Sequence, residues 1–301
     1  MDDVVAIRRW FAEDLRLRTP VTRNLAVIEA FATVPRERLL GGPGPWQVIS
    51  YNRIEQPFTT PDAAPHWVYH DVLVAIDPAR GLNNGAPSFW AHNLDHLDLT
   101  RGERVLQVGA GTGYYSAILA ELVGPQGRVV ASEHDAELAE RARANLAPWP
   151  QVEVVPGDGR THDPGDVDAV VAFAGSTHPA QLWLDRLAEG GRLLIPLTGE
   201  NRWGFMLRAI RRGEAFEAAS IGWVGIYPCA GGRDDDAATR LSAALALANR
   251  KPACELPIRA LHRGAPPECA VSRVWYQAPG FWLERTPLPP GTVNGQPILL
   301  R

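Results

Sequence analysis

The chain has 301 residues, of which 46% are hydrophobic and 21% are charged, which is ordinary for a globular protein. A formal net charge of -4 argues against a nucleic-acid-binding protein, which usually carries a basic surplus. No apolar run approaches the length of a membrane span, and the charged opening segment is unlike a signal peptide. With three cysteines, an odd count that suits a reducing compartment, we expect a cytoplasmic protein that binds neither nucleic acid nor membrane.

The N-terminal region is predicted to be helical. Apolar residues at helical spacing predict a helix over residues 4–17, and a second helical stretch over 24–34 is stopped by Pro35. Residues 41–66 are dense in glycine, proline and threonine, which predicts irregular chain. The segment GLNNGAPSFW, residues 81–90, predicts a turn followed by a helix that starts near Ser88.

From about residue 100, short runs rich in valine, isoleucine and leucine alternate with helical stretches. The predicted strands are 104–110, 128–134, 152–158, 168–175 and 191–198, and the predicted helices between them are 114–123, 136–146 and 179–188. This alternation is typical of a doubly wound, mostly parallel α/β sheet. An antiparallel hairpin around Arg212 and Gly213 brings the prediction to seven strands. We expect three parts: an N-terminal region (1–80), a core (81–224) and a C-terminal extension (225–301) with a helix at 237–249 and a strand at 280–285.

The first core strand ends in a glycine-rich turn, VLQVGAGTGYY. Gly109, Gly111 and Gly113 stand where the strand passes into a helix, so a ligand could approach the backbone and the free N–H groups of the helix. The dinucleotide fingerprint needs its third glycine at the position of Tyr114, which weakens that interpretation.

Two carboxylates follow at the ends of the next strands. Glu133 lies 20 residues after Gly113, and there it could accept both hydroxyls of a ribose or, alternatively, cap the following helix. Asp158 stands between Gly157 and Gly159, where it could contact an adenine amino group or simply form an Asp turn. Carboxyl ends of strands are where open α/β sheets bind ligands, so these residues predict one site.

These motifs resemble those of class I S-adenosylmethionine-dependent methyltransferases, and more narrowly of protein-L-isoaspartate O-methyltransferases. The segment AFATVPRERLL, residues 30–40, and the pair Tyr69 and Asp71 extend the resemblance to about residues 22–200. The resemblance implies a Rossmann-like methyltransferase core, S-adenosyl-L-methionine as cofactor and S-adenosyl-L-homocysteine as product. The cofactor-binding residues expected on this basis are Gln107, Gly109, Ala110, Gly111, Gly113, Tyr114, Glu133, His134, Gly157, Asp158 and Gly159.

Two positions depart from the family pattern. Gln107 replaces an acidic residue that many relatives carry, although glutamine still accepts a hydrogen bond. In the segment 81–90, Gly81 and Pro87 match the family's G-x-T-I-S-x-P, but its Thr-Ile-Ser core has become Asn83-Asn84-Gly85.

The methyl acceptor is expected to be a carboxylate, which has a pKa of about 4 and is therefore ionised without a general base. Asn83 and Asn84 could position it through their neutral amide donors, or could merely satisfy loop backbone. Further candidate substrate contacts are Tyr69, Gly85, Ser88 and Arg233. Arg233 could clamp a carboxylate or belong to a solvated charge cluster. No residues show metal-ligand spacing, so we expect no metal.

Three functions fit the sequence. The first is a carboxyl O-methyltransferase that forms a methyl ester on a small carboxylic acid or a modified peptide. The second is authentic protein-L-isoaspartate repair, against which stand the lost Thr-Ile-Ser core and the C-terminal extension. The third is a non-catalytic cofactor-binding module. The sequence leaves the acceptor and the oligomeric state open.

Overall fold

Helices and a small sheet precede the central sheet. This computed structural model describes residues 3–50, 56–248 and 252–287, together with the backbone of 292–293 and 296–297. The elements up to residue 97 are α1 (Val4–Arg18), α2 (Ala26–Thr33), α3 (Pro87–Leu97), β1 (Gln47–Ile49), β2 (Phe58–Thr59), β3 (Leu73–Asp77) and β4 (Leu82–Asn83). The predicted helices are confirmed: Asp3 caps α1 by accepting from the N–H groups of Val5 and Ala6, and α2 ends just before Pro35. The stretch predicted as irregular contains β1 and β2, because β1 pairs with both β2 and β3.

A ten-stranded sheet forms the centre of the fold, in the order β13-β14-β12-β11-β10-β9-β8-β5-β6-β7. Its strands are β5 (Arg104–Val108), β6 (Arg128–Glu133), β7 (Val152–Pro156), β8 (Val167–Ala172), β9 (Leu187–Thr198), β10 (Trp203–Arg212), β11 (Ala215–Gly225), β12 (Ile258–Arg263), β13 (Val274–Ala278) and β14 (Phe281–Arg285). Neighbours from β9 to β7 are parallel, and the remaining pairs are antiparallel. Strands β5 to β11 are the seven predicted ones, so the mostly parallel α/β core is confirmed.

The C-terminal extension enlarges this sheet beyond the predicted seven strands. β12 pairs with the outer edge of β11, where Phe216 lies opposite Leu261, and β14 and β13 follow. An open β11 edge would expose unpaired N–H and C=O groups, and β12 covers part of that edge, at Phe216 and Glu217. A two-stranded ribbon of β15 (Thr292–Val293) and β16 (Gln296–Pro297) is also described. The division of the chain into three parts stays a prediction.

Helices cover both faces of the central sheet. They are α4 (Tyr114–Val123), α5 (Ala136–Asn145), α6 (Gln181–Arg186) and α7 (Asp235–Leu247). One hydrophobic core contains Phe31, Trp90 and Leu119, and the core of the other face contains Trp183 and Phe205. α6 is shorter than predicted, because the chain turns into β9 at residue 187. No helix within the described residues is both long and apolar enough to cross a membrane.

Candidate functional site

A cavity of about 1050 Å³ lies at the carboxyl edge of the parallel strands. Its lining comes from the ends of β5, β6 and β8, the turn after β7, the loop before α3 and the chain that follows β11. Ligand pockets usually measure roughly 300–1,000 Å³, so this cavity has room for a large ligand and part of a second one.

The glycine-rich turn between β5 and α4 forms part of the cavity wall. Gly109, Gly111 and Gly113 all have positive φ, at 89°, 57° and 95°, and the first two line the cavity together with Ala110. Gly113 lies behind the lining, where a β-carbon would stand 2.9 Å from the Leu146 side chain. Because α4 begins at the next residue, its unpaired N–H groups lie beside the turn.

Glu133 and His134 line the cavity at the end of β6. The Glu133 carboxylate accepts from the N–H of Gly111 at 2.7 Å and from the N–H of Asp135 at 3.0 Å. It therefore ties β6 to the glycine turn, and each oxygen retains a lone pair for a ligand hydroxyl. The side-chain cap of α5 is supplied by Asp135, which accepts from Leu138 N–H.

Asp158 lines the cavity between Gly157 and Gly159. One carboxylate oxygen accepts from the N–H of Arg160 at 2.8 Å, as in an Asp turn. The other oxygen lies under the chain that follows β11, since a β-carbon at Gly231 would stand 3.3 Å from it. The turn thus leaves one oxygen of Asp158 available to a ligand donor.

Asn83 and Asn84 both line the cavity, and backbone donors engage both amide oxygens. The oxygen of Asn83 accepts from Gly85 N–H at 2.9 Å, and that of Asn84 accepts from Val74 N–H at 3.0 Å. The structural alternative therefore accounts for the oxygens. The NH₂ groups differ: that of Asn83 donates to the Tyr227 hydroxyl at 3.2 Å, whereas that of Asn84 is buried without a partner among the described residues.

Arg36 explains the orientation of Asn84. This arginine is fully buried, and its guanidinium donates to the carbonyls of Val68, His70 and Val72 at 2.7–2.9 Å. It also donates to the Asn84 oxygen at 3.4 Å. A cation and an N–H group both require the oxygen on that side, so the Asn84 NH₂ is held on the opposite side.

Two predicted substrate contacts, Tyr69 and Arg233, lie outside the cavity lining. The Tyr69 hydroxyl accepts from the Arg8 side chain and from Arg36 N–H, and it donates to Glu37. All of these hydrogen bonds lie within the N-terminal region. The Arg233 guanidinium donates to the oxygens of Thr198 and to the carbonyl of Gly199, which ties the extension to the end of β9 rather than leaving a free clamp.

Ser88 and Gln107 also lie outside the lining, whereas Gly85 and Tyr114 belong to it. Ser88 is in the first turn of α3, where its N–H donates to Asp71. Gln107 is fully buried in β5, and its amide donates to the carbonyl of Gly109 at 3.4 Å, so it supports the glycine turn from behind.

An aromatic wall in the cavity was not predicted. The Trp90 and Phe173 rings stack with centroids 3.7 Å apart, and Tyr115 packs against Phe173 at 5.2 Å. Phe173 belongs to an apolar run that predicts a strand, and it lies just beyond the end of β8, where strand periodicity carries no information about the cavity.

A second unpredicted contact comes from residues 226–232, which we call the strap. The Tyr227 hydroxyl in the strap donates to the carbonyl of Gly81 and accepts from Asn83. Gly175 N–H donates to the Tyr227 carbonyl at 2.7 Å, and Cys229 N–H donates to the Gly175 carbonyl at 2.8 Å. The strap therefore joins the segment 81–86, which we call the asparagine loop, to the chain that follows β8.

Two cavity-lining acids stay protonated near neutral pH. Burial raises the pKa of the Cys229 thiol, and burial also raises the pKa of the Tyr114 hydroxyl. Within the described part of the chain, no group of three or more histidine, cysteine, aspartate or glutamate residues is placed to hold a metal ion. The arrangement favours positioning of ligands by hydrogen bonds and aromatic surface.

Comparisons with known proteins agree with this geometry. The family model of protein-L-isoaspartate(D-aspartate) O-methyltransferase matches residues 15–221. A protein-L-isoaspartate O-methyltransferase of Ignicoccus hospitalis is 32% identical over 168 residues, which cover 54% of this chain and 79% of that protein. One of Aeropyrum pernix is 36% identical over 195 residues, covering 63% of this chain and 66% of that protein.

Solved structures show the same fold. A protein-L-isoaspartate O-methyltransferase superposes with a TM-score of 0.63 over 93% of this chain and 88% of its own, at 19% identity. A Plasmodium falciparum protein assigned to the same enzyme class, solved with S-adenosyl-L-homocysteine, has a TM-score of 0.58 over 74% of this chain and 97% of its own, at 18% identity. The family match spans more than half of the sequence, so the chain belongs to the protein-L-isoaspartate(D-aspartate) O-methyltransferase family of S-adenosylmethionine-dependent methyltransferases.

Proposed function

We propose that this chain transfers a methyl group from S-adenosyl-L-methionine to a carboxylate, and that the acceptor is an isoaspartyl residue of a peptide or protein. The product is a methyl ester, and S-adenosyl-L-homocysteine leaves. Family membership and the names of the relatives support this acceptor at least as well as the small acid or modified peptide that the sequence favoured. The observation that supports a carboxylate acceptor is the NH₂ of Asn84, which is buried without a partner among the described residues on a side chain that lines the cavity.

The cofactor fits the strand ends that line the cavity. The turn of Gly109 and Gly111 brings backbone close to the space, and Glu133 supplies carboxylate lone pairs beside it. The free oxygen of Asp158 offers an acceptor for an amino group. When bound, S-adenosyl-L-methionine supplies an electrophilic methyl group on a sulfonium. Glu133, His134 and Asp158 would hold its ribose and adenine end.

The acceptor carboxylate would lie at the asparagine loop. A buried donor without a partner is costly unless a ligand satisfies it, and the NH₂ of Asn84 is such a donor. A neutral donor orients a carboxylate without the strong ion pair that would weaken it as a nucleophile. Arg36 acts through Asn84, as a positioning residue, because it keeps the amide oxygen turned away.

Methyl transfer to a carboxylate depends on the positioning of the two reactants and the exclusion of water more than on proton transfer. A carboxylate with a pKa of about 4 is already ionised at neutral pH, so no side chain has to remove a proton. Trp90, Tyr115 and Phe173 present aromatic surface in the cavity, which displaces water from the path of the methyl group. Rigid placement of two reactants is the main contribution expected of such a site.

A small carboxylic acid or another modified peptide is the second candidate acceptor. Gly85 replaces the serine of the family pattern, and Tyr227 of the strap is bonded to the loop at Gly81 and Asn83. The contacts of Tyr227 cover one side of the loop at which the acceptor would bind, which favours a compact acceptor.

Labelled cofactor tests the proposal directly. The chain is incubated with methyl-labelled S-adenosyl-L-methionine and an isoaspartyl peptide, the matched aspartyl peptide, or a panel of dicarboxylic acids. We expect label in the isoaspartyl peptide and none in its aspartyl counterpart. Label only in small acids would support the second candidate. Binding of the cofactor without transfer to any carboxylate would contradict methyl transfer and leave a cofactor-binding module.

A further inference from the structure

Two tryptophans stand together where the cavity meets solvent. Trp203 at the start of β10 and Trp223 near the end of β11 both line the cavity. Their rings are nearly parallel, at 19°, with centroids 6.3 Å apart. Trp203 is 49% exposed, an expensive position for a large aromatic side chain.

The sheet order places this pair away from the proposed cofactor site. The cofactor contacts lie at β5, β6 and β7, whereas β10 is three strands from β5 in the other direction. At roughly 4.8 Å per strand, that separation is about 14 Å. The pair therefore lies outside the cofactor contacts but in the same cavity, where a side chain of the peptide that carries the acceptor could reach it.

The local backbone holds Trp203 over the end of β11. Trp203 pairs with Gly225, and a β-carbon there would stand 3.2 Å from the indole ring. The glycine thus lets the ring lean across the neighbouring strand toward Trp223. The result is a pair of nearly parallel indole rings at the cavity mouth.

Arg202, which precedes Trp203 in the chain, also lines the cavity. It has a φ of 62°, an uncommon conformation for a residue other than glycine. Arg80, another lining arginine, pairs with Asp77 and Asp135, whereas Arg202 forms no ion pair within the described residues. Its positive charge at the cavity disfavours a cationic ligand there.

We infer that Arg202, Trp203 and Trp223 form a subsite for a large apolar side chain, preferably aromatic, that neighbours the methyl-accepting residue of a peptide. This inference rests on the proposed function, since it concerns the peptide that brings the carboxylate. Aromatic rings stack on tryptophan faces and on guanidinium planes, so a phenylalanine neighbour gains contacts that alanine lacks. A lysine neighbour meets the like charge of Arg202.

Isoaspartyl peptides that carry phenylalanine, alanine or lysine on either side of the modified residue test the subsite. Aromatic pairs contribute about 0.5–1.5 kcal/mol, which corresponds to about 2- to 12-fold. We therefore expect kcat/KM for the phenylalanine peptide to exceed that for alanine by a factor in this range on one side, mainly through KM. Lysine at the same position should be the poorest neighbour.

Variants separate recognition from stability. Trp203→Ala should abolish the preference for phenylalanine over alanine, and Trp203→Phe should retain that preference. Arg202→Gln should relieve the penalty for lysine. Trp10→Ala is the matched control, because Trp10 is 82% exposed on α1 and does not line the cavity.

The outcomes distinguish the subsite from the proposed function. If all peptides are methylated with equal efficiency, or Trp203→Ala keeps the preference as Trp10→Ala does, the subsite is wrong and the function stands. If none is methylated, the proposed function fails, and calorimetry of the same peptides with the S-adenosyl-L-homocysteine complex still decides the subsite. Binding without preference for phenylalanine in that measurement would overturn it.

Discussion

Replacing Gly85 by serine restores one residue of the family's substrate-loop pattern, and we expect it to destabilise this protein. Gly85 has a φ of 74°, where a residue with a β-carbon incurs about 1–2 kcal/mol. That β-carbon would also stand 2.7 Å from the indole nitrogen of Trp90. Trp90 is buried and stacked on Phe173, so it cannot move aside cheaply. Such overpacking adds about 1–3 kcal/mol, and the total is about 2–5 kcal/mol.

Thermal unfolding measures this cost. With an unfolding entropy of about 2.1 cal/mol/K per residue, a chain of this length loses roughly 1.6 °C of Tm per kcal/mol, so Gly85→Ser should lower Tm by about 3–8 °C. Gly165→Ser is the matched control, because Gly165 has a φ of 73° with no atom within 4 Å of an added β-carbon. It should show the backbone cost alone. Equal losses of Tm in the two variants would refute the steric conflict with Trp90.

Four further outcomes are expected. Glu133→Ala should weaken cofactor binding by about 1.5–3 kcal/mol in calorimetry, and unchanged affinity would remove Glu133 from the site. Asn84→Ala should lower kcat/KM for the acceptor by about 10- to 100-fold with cofactor affinity unchanged, and normal acceptor kinetics would make the amide purely structural. The methylated product should release methanol in mild alkali, whereas an alkali-stable product would exclude an ester. Burial, with His92 nearby, lowers the pKa of His96 from 6.5 to about 4, so the unfolded chain binds the extra proton and stability should fall as pH drops from 6.5 toward 4. His96→Gln should flatten that pH dependence of unfolding, and an unaltered profile would show that another group is responsible.

The cofactor side of the site could be predicted because its signals are local. β5 is a short, mostly apolar strand, and three glycines follow it directly. Glu133 ends β6, and Asp158 lies in the turn after β7. Parallel pairing then brings these ends to one edge whatever the rest of the chain does. The helices α4 and α5 follow from apolar spacing in the same way.

The acceptor side depends on contacts between distant parts of the chain. Tyr227 and Asn83 are 144 residues apart, and Arg36 and Asn84 are 48 apart. Neither pairing leaves a periodic or motif signal, because each depends on how the extension and the N-terminal region pack. For the same reason, local pattern could not show that Tyr69 and Arg233 are engaged elsewhere. The strand predicted at 280–285 is present as β14, but β12 and β13 were missed, because edge pairing with β11 is decided by tertiary packing.

Opening of the strap can be followed by the hydrogen exchange of two backbone amides. The amide protons of Gly175 and Cys229 bond across the contact between the strap and the chain after β8. Both amides are protected only while the strap is seated, so their exchange with deuterated solvent follows local opening rather than global unfolding. A ligand that rests against Asp158 and Asn83 would slow both exchanges together, and the ratio of the rates with and without it would measure how strongly the occupied cavity favours the closed strap.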